Sequence, residues 1–448
     1  MLRTRRIGLT TRSDRKSSVA IVGGGASGTI LAAQLARRGI ESVVIEGRGR
    51  AGRGIAYSTT EPAHLLNVRA EGMSAWAGEP DHFVKRFERD GGERRGFAER
   101  RLFGRYLREI LDEAVASGGA EVIERTAVRA DRDRGRWRIG LDDGSSVEAQ
   151  ALVLAVGNQE PEPLSAFAGA GHRFIRNPWG DDARAAVAEL AATGEAALLV
   201  GTGLTMVDLV LSLEAAGHRG KIIALSRRGL IPRSHVDFEP APIRSSDLPA
   251  NLRALFRWLR RRSAEVGWRA AVDSLRPHSQ PLWRGLSRDE QRTFLRHVRP
   301  WWDVHRHRIA PDVAATVARL IGEGRLEVLA ARIVGARERE HGLEVDFRRR
   351  GGSAVQSGTF GYAFSCIGPL HSITRTKDLL LRNLLDSGQV RPDRLGIGLE
   401  VEGTARVGEH LWAMGPLTKG RYWEIIAVPD IRDQAGAVAD DIERELSR

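Results

Sequence analysis

Gly23, Gly25 and Gly28 stand in G-x-G-x-x-G spacing, and Glu46 follows them at the distance expected of an acid in a dinucleotide site. In that pattern the first glycine makes a tight turn and the second lets backbone approach a pyrophosphate. The third lets a helix pack closely on its strand, and the acid, about 20 residues on, accepts from a ribose 2′-OH. A second set, Gly201-Thr202-Gly203-Leu204-Thr205-Met206, repeats the grammar with Met206 in the third-glycine place. Beyond it, Ser226, Arg227 and Arg228 occupy the position that holds the acid in the first set. Arginine there suits a 2′-phosphate, hence NADPH in preference to NADH. Charge-assisted hydrogen bonds of about 1.5–3 kcal/mol correspond to a preference of roughly ten- to hundredfold.

Strands and helices must hold these residues in place. Val19–Val22 is a short β-branched run read as a buried strand, and Ile30, Leu31 and Leu35 mark the helix after the first turn. Ser42–Ile45 is the second strand, ending at Glu46. The free N–H groups and dipole of that first helix favour a diphosphate, by roughly 0.3–2 kcal/mol for the dipole alone. In the second set, strand Ala196–Val200, helix Leu204–Leu213 and strand Lys221–Leu225 play the same parts. Each set leads to a predicted β-meander. The first comprises Glu121–Ala130, Arg136–Leu141 and Ser146–Val156, with Asp142-Asp143-Gly144 as a hairpin turn. The second comprises Glu327–Val334, Leu343–Phe347 and Thr359–Ile367. Three apolar strands close on small-x-Gly, at Gly157, Gly368 and Gly415, where backbone can cross between lobes and touch a ligand. Leu102–Ala116 and Ile431–Leu446 read as helices, the latter after Pro429-Asp430.

The loop after Glu46 carries Gly47, Gly49, Gly52 and Gly54, with Arg48 or Arg53 able to meet phosphate or adenosine. It runs on through Tyr57, His64, Leu65, Leu66, Asn67, Val68, Arg69 and Met73, a polar–apolar mixture suited to the edge of a flat heterocycle. Between Leu248 and Gly322 the pattern turns helical and rich in tryptophan, broken at Pro281, Pro300 and Pro311, and Trp258, Trp268, Trp283 and Trp301 are expected to be its core. The fold class that follows is α/β, with two Rossmann-like dinucleotide-binding domains, β-meanders and a helical insertion. The expected division is a flexible basic tail (1–17), the first part of one nucleotide domain (18–190), a second nucleotide domain (191–345) with its insertion at about 248–322, and the second part of the first domain (346–448).

Bulk composition narrows the alternatives. With 448 residues, 42% hydrophobic and 28% charged, the chain has the profile of a globular protein of two or three domains. No apolar run approaches the ~18 residues of a membrane helix. The net charge of +12 comes from arginine scattered through every segment, lysine occurring only at Lys16, Lys85, Lys221, Lys377 and Lys419. A scattered excess is not a nucleic-acid stripe. The single cysteine, Cys366, excludes an intramolecular disulfide and a paired-thiol redox centre, and makes the cytoplasm the expected compartment. His305 and His307 lack further ligands at metal-binding spacing, so no metal is expected.

Several segments together resemble a bacterial FAD/NAD(P)-binding family that includes a flavin-dependent urate hydroxylase and the aspartate N-monooxygenases that make nitrosuccinate. They are GGGASG (Gly23–Gly28), GIAYST (Gly54–Thr59), HLLNVRAEGMSAW (His64–Trp76), GTGLTMVDLVLSL (Gly201–Leu213), SRRGLIPRSH (Ser226–His235), FLRHVRPWWDVHRHRIAP (Phe294–Pro311) and GPLTKGRYWEIIAVPDIRDQA (Gly415–Ala435). The resemblance implies FAD on Gly23, Gly25, Ser27, Gly28, Glu46, Arg48, Tyr57, Leu66, Val128 and Gly157, with Asn67, Gly415, Pro416 and Leu417 near the isoalloxazine. The N-terminus of the last helix is then a candidate donor surface for flavin oxygen atoms. NAD(P)H falls on Gly201, Gly203, Leu204, Thr205, Arg227 and Arg228. The expected activity is an NAD(P)H-consuming flavin monooxygenase that hydroxylates a small anionic substrate with O2 through a flavin C4a-hydroperoxide. Asn67, Arg69, Arg306 and His307 are the candidate catalytic and substrate-holding side chains. Two alternatives stand beside it: a reductase passing electrons to a quinone or protein acceptor, and a non-enzymatic flavin sensor. Neither substrate nor oligomeric state is legible.

Overall fold

A computed structural model describes residues 15–448. Strand β1 (Arg15–Val22) enters a helix α1 (Ala26–Arg37), which returns to β2 (Ser42–Ile45). Helices α2 (His82–Arg89) and α3 (Arg100–Ala116) lead to β3 (Ala120–Ile123), followed by β4 (Ala127–Asp133), β5 (Arg136–Leu141) and β6 (Ser146–Leu154). The second unit opens on β7 (Phe174–Ile175), α4 (Asp181–Thr193), β8 (Ala197–Val200), α5 (Leu204–Ala215) and β9 (Ile222–Ser226). A run of short helices intervenes: α6 (Leu252–Val266), α7 (Trp268–Ser274), α8 (Ser279–Gly285), α9 (Arg288–Thr293) and, after a π-turn, α10 (Arg299–Arg306). Then come α11 (Pro311–Gly322), β10 (Leu326–Arg339), β11 (Gly342–Arg349), β12 (Val355–Phe360) and β13 (Tyr362–Ser365). The chain finishes with α12 (Leu379–Asp386), β14 (Arg406–Gly408), β15 (Leu411–Ala413) and α13 (Val428–Leu446).

Two sheets result, and they repeat one topology. In the first the parallel order is β3-β2-β1-β6-β15, so the chain reverses its direction of growth beside β1. The second has β10-β9-β8-β13-β7, all parallel, and reverses beside β8. Ligands of open α/β sheets bind at such reversals, beyond the carboxyl ends of the strands. Both glycine turns sit there. The meander strands (β4, β5; β11, β12) cover one face of each sheet, and helices cover the other. Helices α1, α3 and α13 share a core through Leu31, Leu35, Leu107, Leu111 and Val438. In the second unit, α4, α5 and α11 share one through Leu190, Val210, Val317 and Leu320. Helix α11 is therefore part of the second nucleotide layer rather than of the helical insertion.

Several expectations need correction. The segment 1–17 read as a tail lies outside the described residues up to position 14, but Arg15, Lys16 and Ser17 pair with Val147, Glu148 and Ala149 as the start of β1. These residues are polar and largely exposed, so no apolar run announced the extension. The expected strands Glu121–Ala130 and Thr359–Ile367 are each two strands. One member joins the meander and the other the parallel sheet, and the bend falls at 124–126 in one and at Gly361 in the other. Apolar periodicity is silent about a strand that changes partner. For the same reason the boundary at 345/346 falls inside β11, which stays with the second sheet. Of the four tryptophans expected as insertion core, Trp283 is buried, Trp258 and Trp268 are half-buried, and Trp301 is 47% exposed. The last helix begins at Val428, with Pro429 inside its first turn, where a missing N–H costs nothing.

Candidate functional site

Gly23 has a left-handed φ of 106°, and a Cβ there would run into the carbonyl oxygen of Ala155, just past β6. Gly201 matches it: φ is 124°, and a Cβ would strike the carbonyl of Cys366, just past β13. Each first glycine is thus required by the backbone of the strand across the reversal. Gly28 is also structural, since a Cβ would collide with the oxygen of Gly23. Met206, its counterpart in the second unit, is instead fully buried in the core.

The middle glycines differ. A Cβ on Gly25 would meet only the Cα of Gly54, at 3.5 Å, and one on Gly203 nothing within 4 Å. The protein's own packing explains neither, whereas a group lying on the backbone explains both. Gly25 and Gly203 are also the N-caps of α1 and α5. Neither helix has a capping side chain or an acid in its first turn, so the end N–H groups face this space without a competing carboxylate. The residues present fit two dinucleotide diphosphates. Ser27 lies in the first turn of α1, and Leu204 and Thr205 in that of α5.

At the ends of the second strands the two units diverge. Glu46 accepts from the N–H of Gly24 at 2.9 Å and from that of Arg48 at 3.0 Å, one to each carboxylate oxygen. Each oxygen keeps a second lone pair free for a ribose hydroxyl. Ser226 shares a hydrogen bond with Thr202 (2.9 Å) and accepts from the N–H of Gly229 (2.9 Å), which shapes the turn carrying Arg227 and Arg228. Arg227 is exposed, Arg228 half-buried, and neither is ion-paired with a carboxylate among the described residues.

The third small-x-Gly ending supplies a wall above the first turn. Gly415 (φ 61°) sits where a Cβ would crowd the Ser27 hydroxyl at 2.8 Å. Its N–H donates to Oε1 of Gln434 (2.8 Å), whose Nε2 donates to Thr418 (3.0 Å), and Thr418 donates back to the Gly415 carbonyl (2.9 Å). Gln434 and Thr418 are both buried, so α13 straps the Gly415–Thr418 turn down. Pro416 and Leu417 line a crevice with Gly157, Asn158, Gln159, Pro369, Leu370 and Lys419. There the two crossovers between units run side by side, Leu370 N–H donating to the Gln159 carbonyl at 3.2 Å.

Other expected residues fall into two groups. Leu66 is buried in the core beneath the loop, and Tyr57 packs edge-on against Phe103 at 4.8 Å with its hydroxyl pushed up to about 12 by burial. Val128 is half-buried in β4, two residues beyond Thr126, and Arg48 is exposed. The carbonyl of Asn67 accepts from Nε2 of His235 at 3.0 Å. The structure does not leave the charged candidates free. Arg69 is committed to Asp237 (2.7 Å) and to the carbonyl of Arg95, and lies over the Phe97 ring. Arg306 donates to Glu424 (3.3 Å), and His307 lies 3.9 Å from both Glu424 and Asp303. Burial lowers the His307 pKa and raises that of Asp303. Glu424 is nearly buried, has φ of 68° and also accepts from Trp302 at 2.6 Å, so HRHR ties the insertion to the segment before α13. Arg69 and Arg306 are thus each held in an ion pair, and His307 lies beside two carboxylates.

A further set joins the units. His64 is buried and bridges Thr59 (2.9 Å) to the Asp208 carbonyl (2.9 Å) and Ser212 (3.0 Å) on α5. Arg100 pairs with the Asp208 carboxylate at 2.7 Å, with side chains 12% and 6% exposed. Gln434, Thr418, Asp208 and Lys419 escaped sequence reasoning because nothing in local spacing links them to the glycine turns. Lys419 alone carried a signal, as one of few lysines in an arginine-rich chain.

Two glycine turns at two sheet reversals, each closed from across by a small-residue strand end, give the fold of a protein with two Rossmann-like dinucleotide-binding domains. Residues 20–159 match the family described as FAD-NAD(P)-binding. No curated protein matches the chain by sequence. Among solved structures, the chain is similar to an L-lysine 6-monooxygenase from Pseudomonas syringae (16% identity, 96% of this chain and 99% of that one, TM-score 0.68). It is also similar to an ornithine N-hydroxylase from Kutzneria sp. 744, with reduced FAD, NADP+ and L-ornithine (17%, 96% and 100%, 0.65), and to a Lactococcus lactis thioredoxin reductase (11%, 96% and 99%, 0.56). At these identities the likeness is one of fold. Among the described residues no helix is long and apolar enough to cross a membrane.

Proposed function

We propose that the protein is a cytoplasmic FAD-dependent monooxygenase that consumes NADPH, with NADH as a poorer donor, and hydroxylates a small anionic substrate. The observation that carries this reading is the pair of open seats at Gly25 and Gly203, on two units whose crossovers meet at one crevice. FAD would lie along Gly23–Gly28 and Glu46 and reach the Gly415–Leu417 turn, and NADPH along Gly201–Thr205 with its 2′-phosphate on Arg227 and Arg228. The bound flavin supplies the redox chemistry, taking a hydride from NADPH and activating O2. The balance is NADPH, H+, O2 and substrate going to NADP+, water and hydroxylated substrate. The chain's own work is orientation and exclusion of water. Gln434 and Thr418 hold the turn beside Ser27, and the Arg100–Asp208 pair with His64 fixes one unit against the other.

The lone cysteine argues against the dithiol chemistry of a disulfide reductase. Cys366 is buried beneath the second turn and burial raises its thiol pKa, so it is neither exposed nor a thiolate. The structures of like fold include an ornithine N-hydroxylase and an L-lysine 6-monooxygenase, which makes a small amine or amino acid bearing a carboxylate the first candidate. The test is to load the protein with FAD, supply NADPH and screen amino acids and urate. Substrate-stimulated oxidation giving hydroxylated product in near-equal amount to NADPH consumed is expected. Consumption that yields only hydrogen peroxide with every candidate, together with rapid reduction of a quinone, would replace the monooxygenase by a reductase.

A further inference from the structure

Lys419 follows directly on the Gly415–Thr418 turn and lines the crevice between the crossovers. The crevice is narrow, with about 10 Å³ of space, roughly one water, so a side chain on its wall has little room for a hydration shell. The half-buried ammonium has three protons to place, yet its one hydrogen bond is a long one, 3.5 Å to the Leu370 carbonyl. No carboxylate forms an ion pair with it among the described residues. Arg299, from α10, is a second cation, and its own partner is Asp303 at 3.2 Å. Asp393 is the nearby acid and favours the charged ammonium, but without an ion pair; its carboxylate accepts from the N–H groups of Leu395 (2.6 Å), Gly398 (2.5 Å) and Ile397 (3.4 Å). His371, on the second crossover, has its pKa lowered by burial and is neutral near pH 7. Burial and Arg299 bring Lys419 down to about 8.

An unpaired, half-buried ammonium is disfavoured, and a negative charge arising beside it relieves that cost. The cofactor supplies one, because uptake of two electrons and one proton leaves bound FAD one unit more negative. We propose that Lys419 is a charge-tuning residue that raises the reduction potential of the bound flavin, making it a better acceptor for the hydride of NADPH. This rests on the reading of Gly415–Leu417 as the flavin side of the site.

The test is the midpoint potential of the FAD-loaded full chain, by equilibration with redox dyes, in wild type, Lys419→Met and Lys419→Arg. For Lys419→Met the equilibrium constant for reduction is expected to fall at least tenfold, about 30 mV for a two-electron couple. Lys419→Arg keeps the charge and should stay within about threefold. The gap between wild type and Lys419→Met should narrow as pH rises through about 8. If Lys419→Met does not fold, the neutral Lys419→Gln takes its place. A yellow Lys419→Met or Lys419→Gln protein with wild-type potential overturns this inference and leaves the flavin reading standing. Wild-type protein that remains colourless with excess FAD removes the flavin reading itself.

Discussion

At the scale of single residues, the two kinds of glycine in one motif make opposite predictions. Gly28→Ala places a methyl against the Gly23 carbonyl and should destabilise the fold by several kcal/mol of steric strain, read as a lower urea midpoint. Gly25→Ala meets only the Cα of Gly54 at 3.5 Å, so the apoprotein should unfold as wild type does while FAD affinity falls at least tenfold by titration. Gly203→Ala should likewise spare stability and raise the KM for NADPH. Equal stability losses in Gly25→Ala and Gly28→Ala would mean the middle glycine serves packing alone. Arg227→Ala and Arg228→Ala test the coenzyme. Loss of one charge-assisted bond predicts a roughly ten- to hundredfold drop in NADPH over NADH selectivity, measured as the ratio of kcat/KM values. An unchanged ratio in both variants would refute the 2′-phosphate assignment.

At the scale of elements, α13 and α5 reach across the fold to hold loops they do not adjoin in sequence. Gln434→Ala frees the Gly415 N–H and the Thr418 hydroxyl, both buried, and should cost about 1–3 kcal/mol while weakening FAD binding. The Asp208 carboxylate compensates Arg100 where both are largely out of water. Asp208→Ala leaves that cation unpaired and is expected to cost about 3–5 kcal/mol, with earlier proteolysis in the 57–69 loop that Arg100 and His64 anchor. A variant that keeps the wild-type urea midpoint would show that this junction is not part of the stability of the fold.

At the scale of the whole molecule, pH acts through a histidine that spans the units. His235 is pulled down to about 4, first by burial and then by the nearby charges of Arg308 and Arg69, and its Nε2 donates to Asn67 in the other unit. Its folded pKa lies below the unfolded value near 6.5, so the unfolded chain binds the extra proton first. The stability from neutral His235 is complete above pH 6.5 and is lost as pH falls from there to about 4. His235→Gln should flatten the fall of the urea midpoint across that window, and an unchanged slope would assign the acid sensitivity to other groups. Local sequence determined both nucleotide turns, their strands and helices, and the sign change from Glu46 to Arg227 and Arg228. All of these depend on neighbours within about 30 residues, where period and glycine spacing carry the information. Tertiary structure alone decided that Ala155 and Cys366 demand the first glycines, and that the expected strands at 121–130 and 359–367 split between two partners. It also gave Arg69, Arg306 and His307 carboxylate neighbours and left Lys419 without an ion pair among the described residues. A side chain's role there depends on which distant atom meets it first, and that is settled only when the chain closes on itself.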